Sequence, residues 1–235
     1  MAALEDSSFG RLVGVLVSPG KTFRSIAARP TWGAALIVLI LAITALGFVT
    51  AQRTDYRDVI TRSVAESGRE VPPEALEQQI SIMQKAGPYF SLGSCVFVTL
   101  IVLFSALLYW IFFKLLGGDF SYKSSLAVVL HAGMPVVVST LLSLPVVLSR
   151  AHLGYDDVKS GSFLQSNLAF LAPEGARAWV TALYASADFF AVWSLILSVI
   201  GFKAVSRLST QAVAVTVVVI TLLFVAVRVG LAALR

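Results

Sequence analysis

Cysteine, histidine and charge are scarce in this chain. One cysteine, Cys95, and two histidines occur among 235 residues. A single cysteine excludes an intrachain disulfide, and with two histidines it leaves little material for a structural zinc site. Charged residues make up 13% of the chain and hydrophobic residues 57%. A soluble domain is about a quarter charged and about half apolar or less. The composition therefore excludes disorder, a nucleic-acid-binding tail and a water-soluble globule. The signatures HExxH, GxSxG, Walker A and GxGxxG are also missing, so an enzymatic reading ranks below the others and no cofactor or metal is expected. Lys159-Ser160-Gly161-Ser162 has no base assigned nearby and reads as turn chemistry.

What the chain has is long apolar runs. Crossing the ~30 Å hydrocarbon core takes about 20 helical residues. Five segments qualify: 32–51, 90–116, 124–148, 178–203 and 211–234. The third contains Pro135 and Pro145, which should kink or break it; a membrane helix tolerates this when neighbours satisfy the freed carbonyls. Trp32, Trp110 and Trp179 lie near segment ends, where interfacial aromatic anchors belong. The expected architecture is all-α: a polytopic five-helix transmembrane bundle, residues 32–235, preceded by a cytosolic amphipathic segment, residues 1–31. The N-terminal stretch lacks the basic region and apolar block of a secretory signal. Phe9, Leu12, Val13 and Leu16 recur at i, i+3, i+4 and i+7, one helical face. Ser18-Pro19 restarts the helix, Phe23 and Ile26 share a side flanked by Lys21, Arg24 and Arg29, and Pro30 ends it. Phe9, Leu12, Leu16, Phe23 and Ile26 are candidates for insertion into a membrane surface, with Arg11, Lys21, Arg24 and Arg29 at lipid headgroups. The rival reading is an entry helix packed under the bundle, and the pattern does not choose between them. Gly10 and Gly14 form a GxxxG outside any span, a weak dimer signal.

Basic residues set orientation. With the N-terminus inside, the inner segments hold eight Lys and Arg against three acids, and the outer loops hold eight against nine. The basic counts tie. Four basic residues before the first span and the basic short loops 117–123 and 204–210 nevertheless favour N-terminus in and C-terminus out. The net charge of +5 is then a topological label on the inner face rather than a patch for nucleic acid. The long outer loop, 52–89, carries two helical faces, Tyr56, Ile60, Val64 and Leu76, Ile80, Met83, and is expected to form a helical hairpin cap.

Three ionisable residues fall within spans, where burial in lipid makes them functional candidates: His131, Asp188 and Arg228. Counted along continuous helices, Asp188 lies ~15 Å and Arg228 ~9 Å below the outer boundary, close enough for a pair between adjacent helices. A structural Asp188–Arg228 tie is favoured over a proton or cation site, and His131 is expected to be a hydrogen bonder inside the bundle. Ala178, Ala182 and Ser186, spaced at four, suit close helix packing.

Two stretches carry a family likeness. One is Ser18-Pro19-Gly20-Lys21-Thr22-Phe23-Arg24-Ser25-Ile26-Ala27-Ala28-Arg29-Pro30, just before the first span. The other is Gly117-Gly118 with Phe120-Ser121-Tyr122-Lys123, leading to His131-Ala132-Gly133-Met134-Pro135. Together they resemble the Yip domain family of Ypt/Rab-interacting proteins, in its short bacterial form, over nearly the whole chain. The resemblance implies a five-helix bundle with a cytosolic N-terminus, in a bacterial cytoplasmic membrane. Eukaryotic members bind Rab GTPases through a long N-terminal region with a DLYGP-type motif. About 31 residues stand here without that motif, which argues against a Rab-type partner. The first functional expectation is a non-enzymatic membrane scaffold contacting anionic lipid, and a second copy or other membrane proteins, but not nucleic acid. The alternative is a transporter or channel with a cavity near Asp188, His131 and Pro135.

Overall fold

The computed structural model describes residues 7–160, 163–173 and 175–234. Glu5, Asp6, Gly161, Ser162, Glu174 and Arg235, which entered the charge and turn arguments, lie outside the described residues. Among the described residues there are eleven α-helices and no strand. Six of these helices, two of them forming one span, make up the five segments long and apolar enough to cross a membrane: Gly33–Arg53, Pro73–Leu115, Tyr122–Ser149, Phe189–Ser206 and Thr210–Ala233. The protein is a polytopic all-α membrane protein.

The chain forms two compact units. The first comprises Met1–Leu39, Thr99–Val138 and Gln165–Arg235. It opens with α1 (Ser8–Val17), whose N-cap Ser7 accepts from Gly10 N at 2.9 Å. Next comes α2 (Pro19–Ala28), started by Pro19 at its first position as the sequence indicates. The first part of α3 (Gly33–Arg53) and the later part of α5 (Pro73–Leu115) belong to this unit. So do α6 (Tyr122–Ala132), the start of α7 (Met134–Ser149), a 3₁₀ turn at Leu168–Leu171, α9 (Ala178–Ser186), α10 (Phe189–Ser206) and α11 (Thr210–Ala233).

In this unit α10 is central and packs on α2, α6 and α11. Its Phe202 ring lies 4.7 Å from Phe113 and 4.6 Å from Tyr109, and Phe120 sits 5.9 Å from Phe113. In lipid, helices associate through close packing rather than exclusion of water, so such ring contacts weigh heavily. The Gly117-Gly118 pair makes this nucleus possible. Gly117 takes a left-handed φ of 84° that ends α5. Gly118 donates to Phe113 O at 2.8 Å, and a Cβ there would stand 2.8 Å from that same oxygen. Trp110 Nε1 donates to Phe120 O at 3.1 Å, so this end-of-span tryptophan also fastens the turn.

The second and fourth spans differ from the expected ones. The second does not begin near residue 90: α5 is one helix of 43 residues, ~65 Å long, with Pro88 inside it. The second arm of the expected hairpin and the second span are therefore continuous. The third span is two helices, parted at Gly133; Pro135 is the second residue of α7, where a missing N–H costs nothing, and Pro145 lies within α7. The fourth, expected to run unbroken over 178–203, is split between α9 and α10 at Ala187-Asp188.

The second unit comprises Ile40–Val98 and Ser139–Leu164. It holds α4 (Tyr56–Ser67), α8 (Tyr155–Ser160) and the polar arm of α5. Asp55 caps α4 by accepting from Arg57 N and Asp58 N, each at 3.1 Å, and Gly68 ends it at φ 64°. Ile60 and Ile80 are buried, with Tyr56, Val64, Leu76 and Met83 half-buried, so both expected apolar faces turn inward. Arg57 grips Glu77 with two bonds of 2.6 and 2.7 Å, tying α4 to α5.

Candidate membrane-surface and intramembrane site

The N-terminal hairpin is split between two environments. Phe23 and Ile26 are 0% exposed, and Leu12 and Val15 are buried as well. Phe23 explains why: a Cβ at Gly201 of α10 would meet Phe23 Cε1 at 2.8 Å and Val128 Cγ1 of α6 at 2.6 Å. Three helices close on that glycine, and α2 is wedged into the unit. Gly14 performs the same service within the hairpin, where a Cβ would lie 2.8 Å from Thr22 Oγ1. Phe23, Ile26 and Leu12 are therefore packing residues, not surface-insertion residues, and Leu16 is half-buried. Phe9 is 67% exposed, and Val13 and Val17, which follow it at four-residue spacing, are exposed too. The outward apolar stripe is Phe9, Val13 and Val17. The expected single face is in fact two faces of one short helix.

Arg11 is likewise corrected. It is 4% exposed, so it is no headgroup ligand. Its guanidinium donates to Arg29 O at 2.8 Å, Thr31 Oγ1 at 3.0 Å and Ser25 Oγ at 2.9 Å. These bonds bind α1 to the end of α2 and to the linker before α3. A planar five-donor cation suits such a junction. Lys21, Arg24 and Arg29 keep exposed positions on the hairpin.

The three intramembrane candidates separate. His131 is buried, with Nδ1 2.8 Å from Ala127 O, the bundle-interior role expected of it. Asp188 is the N-cap of α10: Oδ1 accepts from Phe190 N at 2.9 Å and Ala191 N at 3.0 Å, and Ser166 Oγ donates to Oδ2 at 2.5 Å. Phe189 N also donates to Ser166 O at 2.9 Å. Because α10 alone has 18 residues, ~27 Å of helix, it is long enough to cross by itself, and Asp188 caps its start rather than interrupting a span. Arg228 is exposed on α11, and no Asp188–Arg228 ion pair exists among the described residues. A carboxylate already taken by two amides and a hydroxyl has little reason to recruit it. With Val128 level with Gly201, His131 and Asp188 lie ~15 Å apart along the antiparallel helices. A cavity of ≈ 390 Å³ lies elsewhere, lined by Leu116, Ser209, Gln211, Ala212, Val215 and Thr216. Among the described residues no group of three or more His, Cys, Asp or Glu could hold a metal ion.

Outside the spans, α8 is fastened to α4 through Tyr155. Its ring lies under Arg62 at 4.9 Å and Lys159 at 5.0 Å. Its hydroxyl donates to Glu66 at 2.6 Å, Lys159 Nζ donates to the same oxygen at 2.6 Å, and Arg62 holds Asp156 with bonds of 2.9 and 3.3 Å. The Lys159 ammonium and the Tyr155 hydroxyl hold the Glu66 carboxyl below its ordinary range, and Glu66 holds Lys159 above its own. Sequence reasoning passed over Tyr155, Gly201 and Ser166. A glycine inside an apolar span is a recognised mark of close approach; the other two depend on contacts far along the chain.

These features meet known proteins at one point. The Yip1 domain model matches residues 13–231, from the middle of α1 almost to the end of α11. The chain is similar to membrane protein YknW of Bacillus subtilis (strain 168), 26% identical over 203 residues, which cover 86% of this chain and 80% of that protein. No solved structure matches it. The match takes in the Gly117-Gly118 turn, the Ser18-Pro19 entry and all five spans, and the protein belongs to the Yip1 domain family of membrane proteins.

Proposed function

We propose that the protein is a non-enzymatic organising protein of a bacterial cytoplasmic membrane, with its N-terminal hairpin on the inner leaflet and its C-terminus across the bilayer. One observation carries this reading: the hairpin is locked into the helical unit by Phe23 at Gly201 and by Arg11, yet leaves Phe9, Val13 and Val17 on α1 and Lys21, Arg24 and Arg29 on and after α2 exposed. An apolar stripe and basic side chains on one hairpin fit the boundary of an anionic leaflet. A rigid mount holds it there without the ordering cost that a free peptide incurs on binding. The partners are anionic lipid and, through the lipid-facing helices, other membrane proteins or a second copy of the chain. The test is lipid retention. Full-length protein extracted with its native lipid should carry more anionic phospholipid than the variant Lys21→Gln, Arg24→Gln, Arg29→Gln. Equal lipid composition in the two would refute the reading.

A further inference from the structure

The segment between α8 and α10 is the part of the chain that differs most in kind from its sequence expectation. In that expectation residues 149–177 form a connection of intermediate length, and 178–203 a span. In the structure α10 crosses alone, beginning at Asp188, and α9 is left over. Its nine residues pack on α11, and the Leu168–Leu171 turn packs on α9. Asn167 caps that turn by accepting from Ala169 N at 2.9 Å, and Ser166 clamps it to Asp188. Hydrogen bonds thus fix the turn against the start of α10, while its apolar side chains are exposed. Leu168, Phe170, Leu171, Trp179 and Leu183 are all exposed, Phe170 at 66%. From residue 163 to residue 187 the only charged residues are Glu174 and Arg177.

A folded, charge-poor surface of this kind is costly to leave in water. It is continuous with Phe189 on α10, which is exposed and belongs to a membrane span. Asp188, the N-cap of the crossing helix and the partner of Ser166, lies between the two. We infer that residues 166–171 and 178–186 form an interfacial anchor, with the Leu168–Leu171 turn and α9 seated in the headgroup and upper acyl region of the leaflet at the start of α10. Their partner is lipid. The aromatic belt of membrane proteins has the same chemistry, an apolar ring at headgroup level, and Trp179 and Phe170 supply it. The hairpin α1–α2 packs near Gly201, 13 residues farther along α10 and ~20 Å away. The protein then holds one shallow element in each leaflet.

Nitroxide labels report this directly. With Cys95→Ser as background, Phe170→Cys, Leu171→Cys and Leu183→Cys place labels on exposed positions of the full chain. Arg69→Cys serves as a water reference and Val219→Cys as a lipid reference. The protein is reconstituted in phosphatidylcholine–phosphatidylglycerol vesicles, and each label's collision with oxygen and with a water-soluble nickel complex is measured. The oxygen-to-nickel ratio at 170, 171 and 183 should exceed that at 69 several-fold and fall below that at 219. A ratio equal to that at 69 overturns the inference. So does a label shielded from both reagents and coupled to a second nitroxide, since a second copy would then cover the surface.

Discussion

Asp188 shows how one residue's position on a helix decides its chemistry. Inside a span, a carboxylate needs a counter-ion; at the head of one, it satisfies amides that have no carbonyl to reach. Asp188→Ala should cost about 1 kcal/mol in detergent-solubilised unfolding, whereas Asp188→Asn, which keeps the acceptor for Phe190 N and Ala191 N, should stay near wild type. Arg228→Gln should be silent. A loss with Asn equal to that with Ala would mean that the charge, and not the cap, is what matters. Gly201 makes a sharper case. The Cβ of Gly201→Ala would fall 2.6 Å from Val128 and 2.8 Å from Phe23, a steric conflict worth roughly 1–3 kcal/mol. Phe23→Leu should relieve part of it, so the double variant should lie above the sum of the singles. Additive losses would show that the two sites do not meet.

At the scale of elements, local signals were legible and register was not. Ser18-Pro19 and Gly117-Gly118 act through their own backbone, and both stand where the sequence places them. The faces of Tyr56, Ile60, Val64 and Leu76, Ile80, Met83 are set by a 3.6-residue period and hold too. Hydropathy cannot see a helix boundary inside an apolar run. It therefore joined α9 to α10, although Asp before Phe189-Phe190 is itself a helix-start signal. Nor can it tell which of two apolar faces on α1 meets protein and which meets lipid. The α4–α8 contact offers a test at this scale. The Glu66 carboxyl is held below its ordinary range by Lys159 and Tyr155. For such a depressed group the contribution to folding is fully present above the unfolded value of about 4.3 and disappears as pH falls through the lower folded value. Amide exchange in α8 should therefore accelerate as pH drops below about 4, after correction for intrinsic rates. Glu66→Gln should abolish that acceleration while leaving the arm held by Arg57 and Glu77 unchanged. Acceleration persisting in Glu66→Gln would assign the effect to another carboxylate.

For the whole molecule, orientation is the property on which the membrane reading depends, and total charge does not fix it. The Lys and Arg counts of the two sides tie at eight each, so the sign comes from where the charges sit. Long translocated segments carry charge across with little regard to the rule, whereas residues close to the ends of spans obey it. Basic residues on both expected sides are engaged locally: Arg57 with Glu77, Arg62 with Asp156, Arg150 with Asp157 and Lys159 with Glu66 on one, and Lys114 with Asp119 on the other. Lys21, Arg24 and Arg29 precede the first span on exposed positions, and no acid lies between them and Arg53. The expectation of the hairpin inside therefore rests on where these residues sit, just before the first span, and not on which charges remain unpaired. With Cys95→Ser as background, a membrane-impermeant maleimide applied to intact cells should label Arg69→Cys at once. It should reach Asp119→Cys, in the loop after Gly117-Gly118, only after the membrane is opened. The reverse pattern would place the hairpin outside. Labelling of both in intact cells would show two orientations in one membrane, and the four basic residues before the first span would then be too few to decide between them.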